Sequence, residues 1–192
     1  MLEAISKKIT VKWIENGVIN KEFEDAYIYG LLLLLSTGIN IAVIATISAY
    51  MHKSLIWVPF LVGFIPLRIT AGGFHAKTPC RCGVFFCGGY TLLLLLVTCM
   101  PDSARIIIEL ISTVVSAILV YKLAPISSSN KPLSDKELLQ KRKLSLVIMA
   151  IILFLSVFFS LGQTTSDVVS MWSVGVLDAA ISLGIGKTAN AS

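Results

Sequence analysis

The sequence predicts an all-α integral membrane protein: an N-terminal amphipathic helix followed by about six hydrophobic helical segments, the second short and broken. Three observations predict it. Of 192 residues, 56% are hydrophobic and only 14% are charged, where soluble domains run at about 45–50% and about 25%. The mean hydropathy is +0.85. The apolar residues fall in long runs, and a helix needs about 20 of them to span a bilayer.

Residues 1–22 form the amphipathic element. Leu2, Ile5, Ile9 and Trp13 fall near one face, and Lys and Glu fill much of the rest. Gly17 interrupts it. Such a helix is expected to lie on the bilayer surface. The first 25 residues carry charges and no apolar signal region, so no cleaved signal peptide is expected.

The hydrophobic segments follow in order. Residues 26–50 are long enough to span. Residues 54–67 (SLIWVPFLVGFIPL) number fourteen and hold Pro59 and Pro66, which makes them short and prone to kinking. Residues 83–100 and 104–123 are joined by a Pro-Asp-Ser turn. Residues 124–143 are a polar loop whose second half, after Ser134, reads as a short helix merging into 144–161. Residues 168–186 finish the series. No soluble domain or internal repeat is evident, so 1–192 reads as one membrane-embedded domain.

Lysine and arginine placement sets the orientation. If the N-terminus is cytoplasmic and each segment crosses, fourteen of the sixteen basic residues fall inside, and only Lys53 and Arg105 fall outside. The 68–82 stretch and the 124–143 loop then share the cytoplasmic side. Asn40, Glu109, Gln163, Asp167 and Asp178 lie within or near spans. Glu109 stands out, because an ionisable group inside a membrane needs a partner.

Residues 68–82 read RITAGGFHAKTPCRC and hold one of two histidines and two of four cysteines. Thr78-Pro79 is a helix start: Thr suits the N-cap, and Pro suits the first helical position. Cys80 and Cys82 then lie in about the first turn, where unpaired N–H groups favour a thiolate. Lys77 and Arg81 add positive charge, and thiols in such fields become nucleophiles. Gly72 and Gly73 free the backbone to bring His75 towards either thiol. A Cys–His pair is a minimal constellation for acyl transfer. Other chemistries use the same residues. His75, Cys80 and Cys82 are three possible metal ligands, short of the four of a structural zinc site. Juxtamembrane thiols are also sites of lipidation. A small transporter or metal-binding carrier is therefore the competing function class. Nothing in the sequence points to nucleic acid.

Arg68, Gly73, His75, Ala76 and Cys82, in this spacing and in a small polytopic protein, resemble the accessory gene regulator protein B (AgrB) family. A second match lies in APISSSNKPL (124–133), similar to the family's AP…KP loop after the fourth hydrophobic segment. The resemblance covers essentially the whole chain. It implies a cysteine endopeptidase of the bacterial cell membrane that removes the C-terminal tail of a quorum-sensing peptide precursor and promotes its cyclisation. It implies His75 and Cys82 as the catalytic pair, a precursor peptide as partner, a homodimer, and no cofactor or metal. Arg68 and Gly73 are candidates for oxyanion or substrate contact. Lys131, Lys141, Arg142 and Lys143 are candidates to meet an acidic precursor tail, or to anchor the loop on anionic lipid. Cys80 is a departure, a second thiol in a similar field.

Overall fold

The computed structural model describes residues 2–73, 79–126, 134–161 and 167–191. Among these residues the chain forms seven α-helices: α1 (Leu2–Glu15), α2 (Glu24–Tyr50), α3 (Trp57–Ala71), α4 (Pro79–Cys99), α5 (Asp102–Leu123), α6 (Asp135–Leu161) and α7 (Asp167–Ala191). Five of them, α2 and α4 to α7, are long and apolar enough to cross a membrane, and α3 is a shorter apolar helix. The chain is thus an all-α membrane protein.

Local chemistry sets several boundaries. α1 ends because Gly17 turns left-handed at φ 68°. Gly17 N–H then bonds the Ile14 carbonyl and Val18 N–H bonds that of Trp13, each at 2.9 Å, which closes the helix in a Schellman motif. α6 opens on a capping box. Ser134 N–H donates to Glu137 Oε2 at 2.9 Å, and Glu137 N–H donates back to Ser134 Oγ at 3.4 Å. The expected short helix after Ser134 and the span that follows are therefore one helix. The second apolar segment is short, as expected, but runs unbroken through Pro66. Its breaks lie at its ends, in the turns of 51–56 and at Gly72.

α1 differs from the expected pattern. It packs on α2 and buries Ser6 and Thr10, one turn apart, while Ile5 and Trp13 of the apolar stripe stay exposed. Small side chains let helices approach closely, so the polar pair turns inward.

α7 is the central helix: 61% of its apolar span is buried, against 6% for α2. Its small residues explain this. A Cβ at Gly175 would strike the Phe60 carbonyl, and one at Gly63 would strike that of Trp172. α3 and α7 therefore meet backbone to backbone. They also run parallel and in step. Lys53, just before α3, pairs with Asp167, and Arg68, near the end of α3, donates to Ser182 Oγ; both pairs are separated by 114 residues. α5 joins the same direction, with Arg105 Nη1 2.7 Å from Asp167 Oδ1 and Glu109 accepting from Ser170 Oγ at 2.6 Å. That hydrogen bond supplies the partner that Glu109 needs.

α2 and α4 run the opposite way. Asn40 lies beside Cys87 and Ser48 bonds Tyr90, so they are parallel to each other. α6 is antiparallel to α5, which Thr113 and Ser156 join at 3.4 Å. Stepping eleven residues each way from that pair sets Ser145 level with Ala124. Residues 135–144 of α6 therefore project about 15 Å beyond the end of α5. Lys53 and Arg105 share one end of the bundle, joined through Asp167. Arg68 and Cys82 lie at the other.

Candidate active site

Two turns of chain meet at that second end. α3 ends where Gly72 takes φ 82°, and Gly73 follows at φ 139°, values that L side chains rarely adopt. The reversal brings Ala71 and Gly72 onto the stretch after α5: Ile126 N–H donates to the Ala71 carbonyl at 2.9 Å, and a Cβ on Gly72 would strike the Ile126 carbonyl. The 68–82 and 124–133 stretches, distant in sequence, are thus neighbours where they are described.

α4 begins at Pro79, which sets Cys80 and Cys82 in its first turn. Two residues apart on a helix is a rotation of about 200°, so the two thiols face different ways. Cys80 is exposed and Cys82 half-buried. Cys82 faces α3, where the half-buried Arg68 guanidinium is within hydrogen-bonding reach of its sulfur.

Arg68 has further holds. Nη1 donates to Ser182 Oγ at 3.0 Å and to the Gly72 carbonyl at 3.4 Å. Asp178, one turn before Ser182 on α7, acts on it electrostatically. The Asp178 carboxylate rests against α4, with Oδ1 3.0 Å from where a Gly89 Cβ would stand. Gly73 completes the cradle, since a Cβ there would overlap the guanidinium. On the far side of α4, Asn40 lies over Gly83, with Oδ1 2.6 Å from the Cβ position of that glycine. Cys82 is therefore bounded by a cation from α3 and, one residue along, by an amide from α2.

The candidates fall into two groups. Arg68, Gly73 and Cys82 come together. Lys141, Arg142 and Lys143 lie on the projecting part of α6, where Arg142 and Lys143 are exposed. His75 and Lys131 lie outside the described residues, as does the Thr78 cap. Asn40 and Asp178, named in sequence only as polar residues within or near spans, join the site, as does Ser182, which the sequence did not mark. The available signal was modest: Asp178 is a lone carboxylate in a run of small apolar residues, VGVLDAAIS.

The helical membrane architecture and this site define a class of polytopic protein with a thiol beside a guanidinium at one end of the bundle. The family model Accessory gene regulator B matches residues 6–183, and the chain belongs to that family. It is also similar to an AgrB-like protein of Clostridium perfringens strain SM101, at 27% identity over 163 residues, covering 82% of this chain and 76% of the relative. An AgrB-like protein 2 of Clostridium perfringens strain 13 matches with the same identity and coverage. No solved structure gives a significant match. Family membership ties the chain to the accessory gene regulator system and to a multi-pass membrane setting.

Proposed function

We propose that the protein is a membrane cysteine endopeptidase and cyclase acting on the precursor of a cyclic signalling peptide, with Cys82 as nucleophile and His75 as its acid–base partner. One observation carries the assignment: the guanidinium of Arg68 meets the Cys82 thiol, while Cys80 faces outward. The guanidinium stands where it can meet negative charge that develops beside the sulfur during acyl transfer.

The reaction runs in two acyl transfers. The Cys82 thiolate adds to a peptide carbonyl of the precursor, and the charge that develops on oxygen is stabilised by Arg68 and by N–H groups at the start of α4. The C–N bond breaks, and the proton taken from the thiol passes from His75 to the departing amine. The C-terminal tail leaves, and the acyl group stays on Cys82 as a thioester. A cysteine within the precursor then attacks that thioester, forms the ring thiolactone and frees Cys82; a serine there gives a lactone. The second step exchanges like for like. The first is uphill, because an amide is more stable than a thioester, so removal of tail or product draws the reaction forward. A site beside the membrane excludes the water that would hydrolyse the intermediate.

The N-terminus and the site face the cytoplasm in this reading, because Lys53 and Arg105 are the two basic residues at the opposite end. The family resemblance supports a homodimer. Residues Lys131, Lys141, Arg142 and Lys143 receive an acidic precursor tail. The test is co-expression of a cognate precursor with Cys82→Ala, Cys80→Ala and His75→Ala, with products weighed by mass spectrometry. Cys82→Ala and His75→Ala should leave the precursor whole, and Cys80→Ala should cleave it. Tail removal by Cys82→Ala would sink the assignment.

A further inference from the structure

We infer that Arg81, Lys122, Lys143 and Lys187 form a cationic belt that binds the headgroups of anionic phospholipids around the end of the bundle that holds Cys82. Lipid binding here is independent of what Cys82 attacks.

The belt follows from the register of the helices, which side-chain contacts fix. Asp178 Oδ1 of α7 lies 3.0 Å from the Cβ position of Gly89 on α4. α4 and α7 are antiparallel, so Lys187, nine residues beyond Asp178, is level with Arg81, eight before Gly89. A separate route reaches α6. Ser170 of α7 donates to Glu109 of α5 at 2.6 Å, and Thr113 of α5 joins Ser156 of α6 at 3.4 Å. Carried through those two pairs, the level of Lys187 falls on Lys143, thirteen residues before Ser156. Lys122 of α5 lies about one turn lower, within reach of that level because a lysine stem extends towards water. All four side chains are exposed.

The opposite end gives the scale. There Lys53 and Arg105 meet Asp167, so the protein supplies the counter-ion itself. From Asp167 to Lys187 is twenty residues of α7, or about 30 Å, the thickness of a typical hydrocarbon layer. The two charged levels are thus one bilayer apart, and the belt stands where lipid phosphates lie. Its sign suits them. At this level α6 reads LQKRKLSLV (139–147) and α7 reads LGIGKTANA (183–191), stretches with cations and no acid. Basic residues near an anionic leaflet attract it at about 1 kcal/mol each. The Arg68–Ser182 contact is five residues inside the belt, about 7 Å deeper, so the bound headgroups surround the mouth of the site.

The experiment measures lipid association by electron spin resonance on the full chain in phosphatidylcholine vesicles. A trace of spin-labelled phosphatidylglycerol is compared with spin-labelled phosphatidylcholine, with no precursor present. Wild type should prefer the anionic lipid several-fold, and high salt should reduce the preference. Replacing Arg81, Lys122, Lys143 and Lys187 together by Gln should abolish most of it. Replacing Lys7, Lys8, Lys12 and Lys21 by Gln removes as many charges elsewhere and should leave it. Inorganic phosphate should compete no better than chloride of equal ionic strength. Equal association of the two lipids with wild type overturns the proposal. So does a preference that survives the belt substitutions, or one that falls equally with both sets and so follows net charge. Specific displacement by inorganic phosphate overturns lipid as the ligand. If the fourfold variant fails to insert, Lys122→Gln and Lys187→Gln decide singly: each should lower the preference, and no change in either overturns the belt. Lys143 is shared with the residues proposed to meet the precursor tail. Precursor cleavage by Cys82→Ala would remove the peptidase reading and leave the lipid result standing.

Discussion

Arg68, in the last turn of α3, presents its guanidinium to Cys82, in the first turn of α4. The two residues are fourteen apart in a chain whose intervening backbone reverses at two glycines. If that cation stabilises the charge of the acyl transfer, Arg68→Gln should lower the rate of precursor cleavage by about 10²–10³ with Cys82 intact, the scale of one lost oxyanion donor. Arg68→Lys should recover little. A single ammonium lacks the planar fork that reaches Cys82, Ser182 and the Gly72 carbonyl together. Initial cleavage rates in proteoliposomes measure both.

Gly73→Ala is expected to reproduce much of the Arg68 defect. Its backbone sits at φ 139°, and a Cβ would overlap the guanidinium. Strain of about 1–3 kcal/mol is a common cost of such a conformation. The variant should insert and remain helical by circular dichroism while cleavage falls. Wild-type cleavage by Gly73→Ala would remove the glycine from the cradle.

Gly63→Leu or Gly175→Leu should separate α3 from α7. Each would drive a side chain into a carbonyl of the opposing helix, and overpacking costs about 1–3 kcal/mol or more. Thermal unfolding in detergent should show a lower midpoint for both. A substitution at Gly38 is the control, since nothing lies within 4 Å of a Cβ there.

Asp167→Asn should destabilise the opposite end. Asp167 holds Lys53 and Arg105 at once, and the Arg105 side chain is only 16% exposed. Removing the shared anion leaves two cations side by side. The loss should be about 2 kcal/mol, below the ~3–5 kcal/mol of a fully buried pair. It should appear in unfolding midpoints, with alkylation of Cys82 unchanged.

Replacing Lys141, Arg142 and Lys143 together by Gln should raise KM for an acidic-tailed precursor several-fold and leave kcat near wild type. These residues stand on the projecting start of α6, away from the Arg68–Cys82 contact. High salt should weaken wild type towards the variant.

Much of this was legible in the sequence because it depends on neighbours along the chain. Pro79 starts α4, Gly17 ends α1, and the polar residues after Ser134 lead into α6. Ser134 and Glu137 even carry the capping pair at the expected spacing. The helix faces were harder to read. Lipid is as apolar as Leu, so hydrophobicity no longer says which side of a helix is buried. Hence α1 turns Ser6 and Thr10 inward and leaves Ile5 and Trp13 out. For the same reason α7, with its glycines, serines and alanines, is the centre of the bundle, while the leucine-rich α2 is nearly all surface. The place of Asp178 beside the site was unreadable for a different reason. Its importance comes from Arg68, 110 residues earlier, and only the parallel, in-step packing of α3 on α7 brings them together.

The in-step pairing of α3 with α7 also has a mechanical side. From Asp167 to Ser182, the α7 partners of Lys53 and Arg68, is fifteen residues, or about 22 Å of helix, while the hydrocarbon layer is about 30 Å thick. A bilayer matched to the rest of the bundle is therefore mismatched here, and must pinch or let the Arg68 end sink below its headgroups. Under the proposed peptidase reading, a peptide reaching Cys82 then descends into a dimple in the membrane rather than meeting a site on its surface, and the acyl-chain length of the surrounding lipid becomes a control on how deep that dimple is.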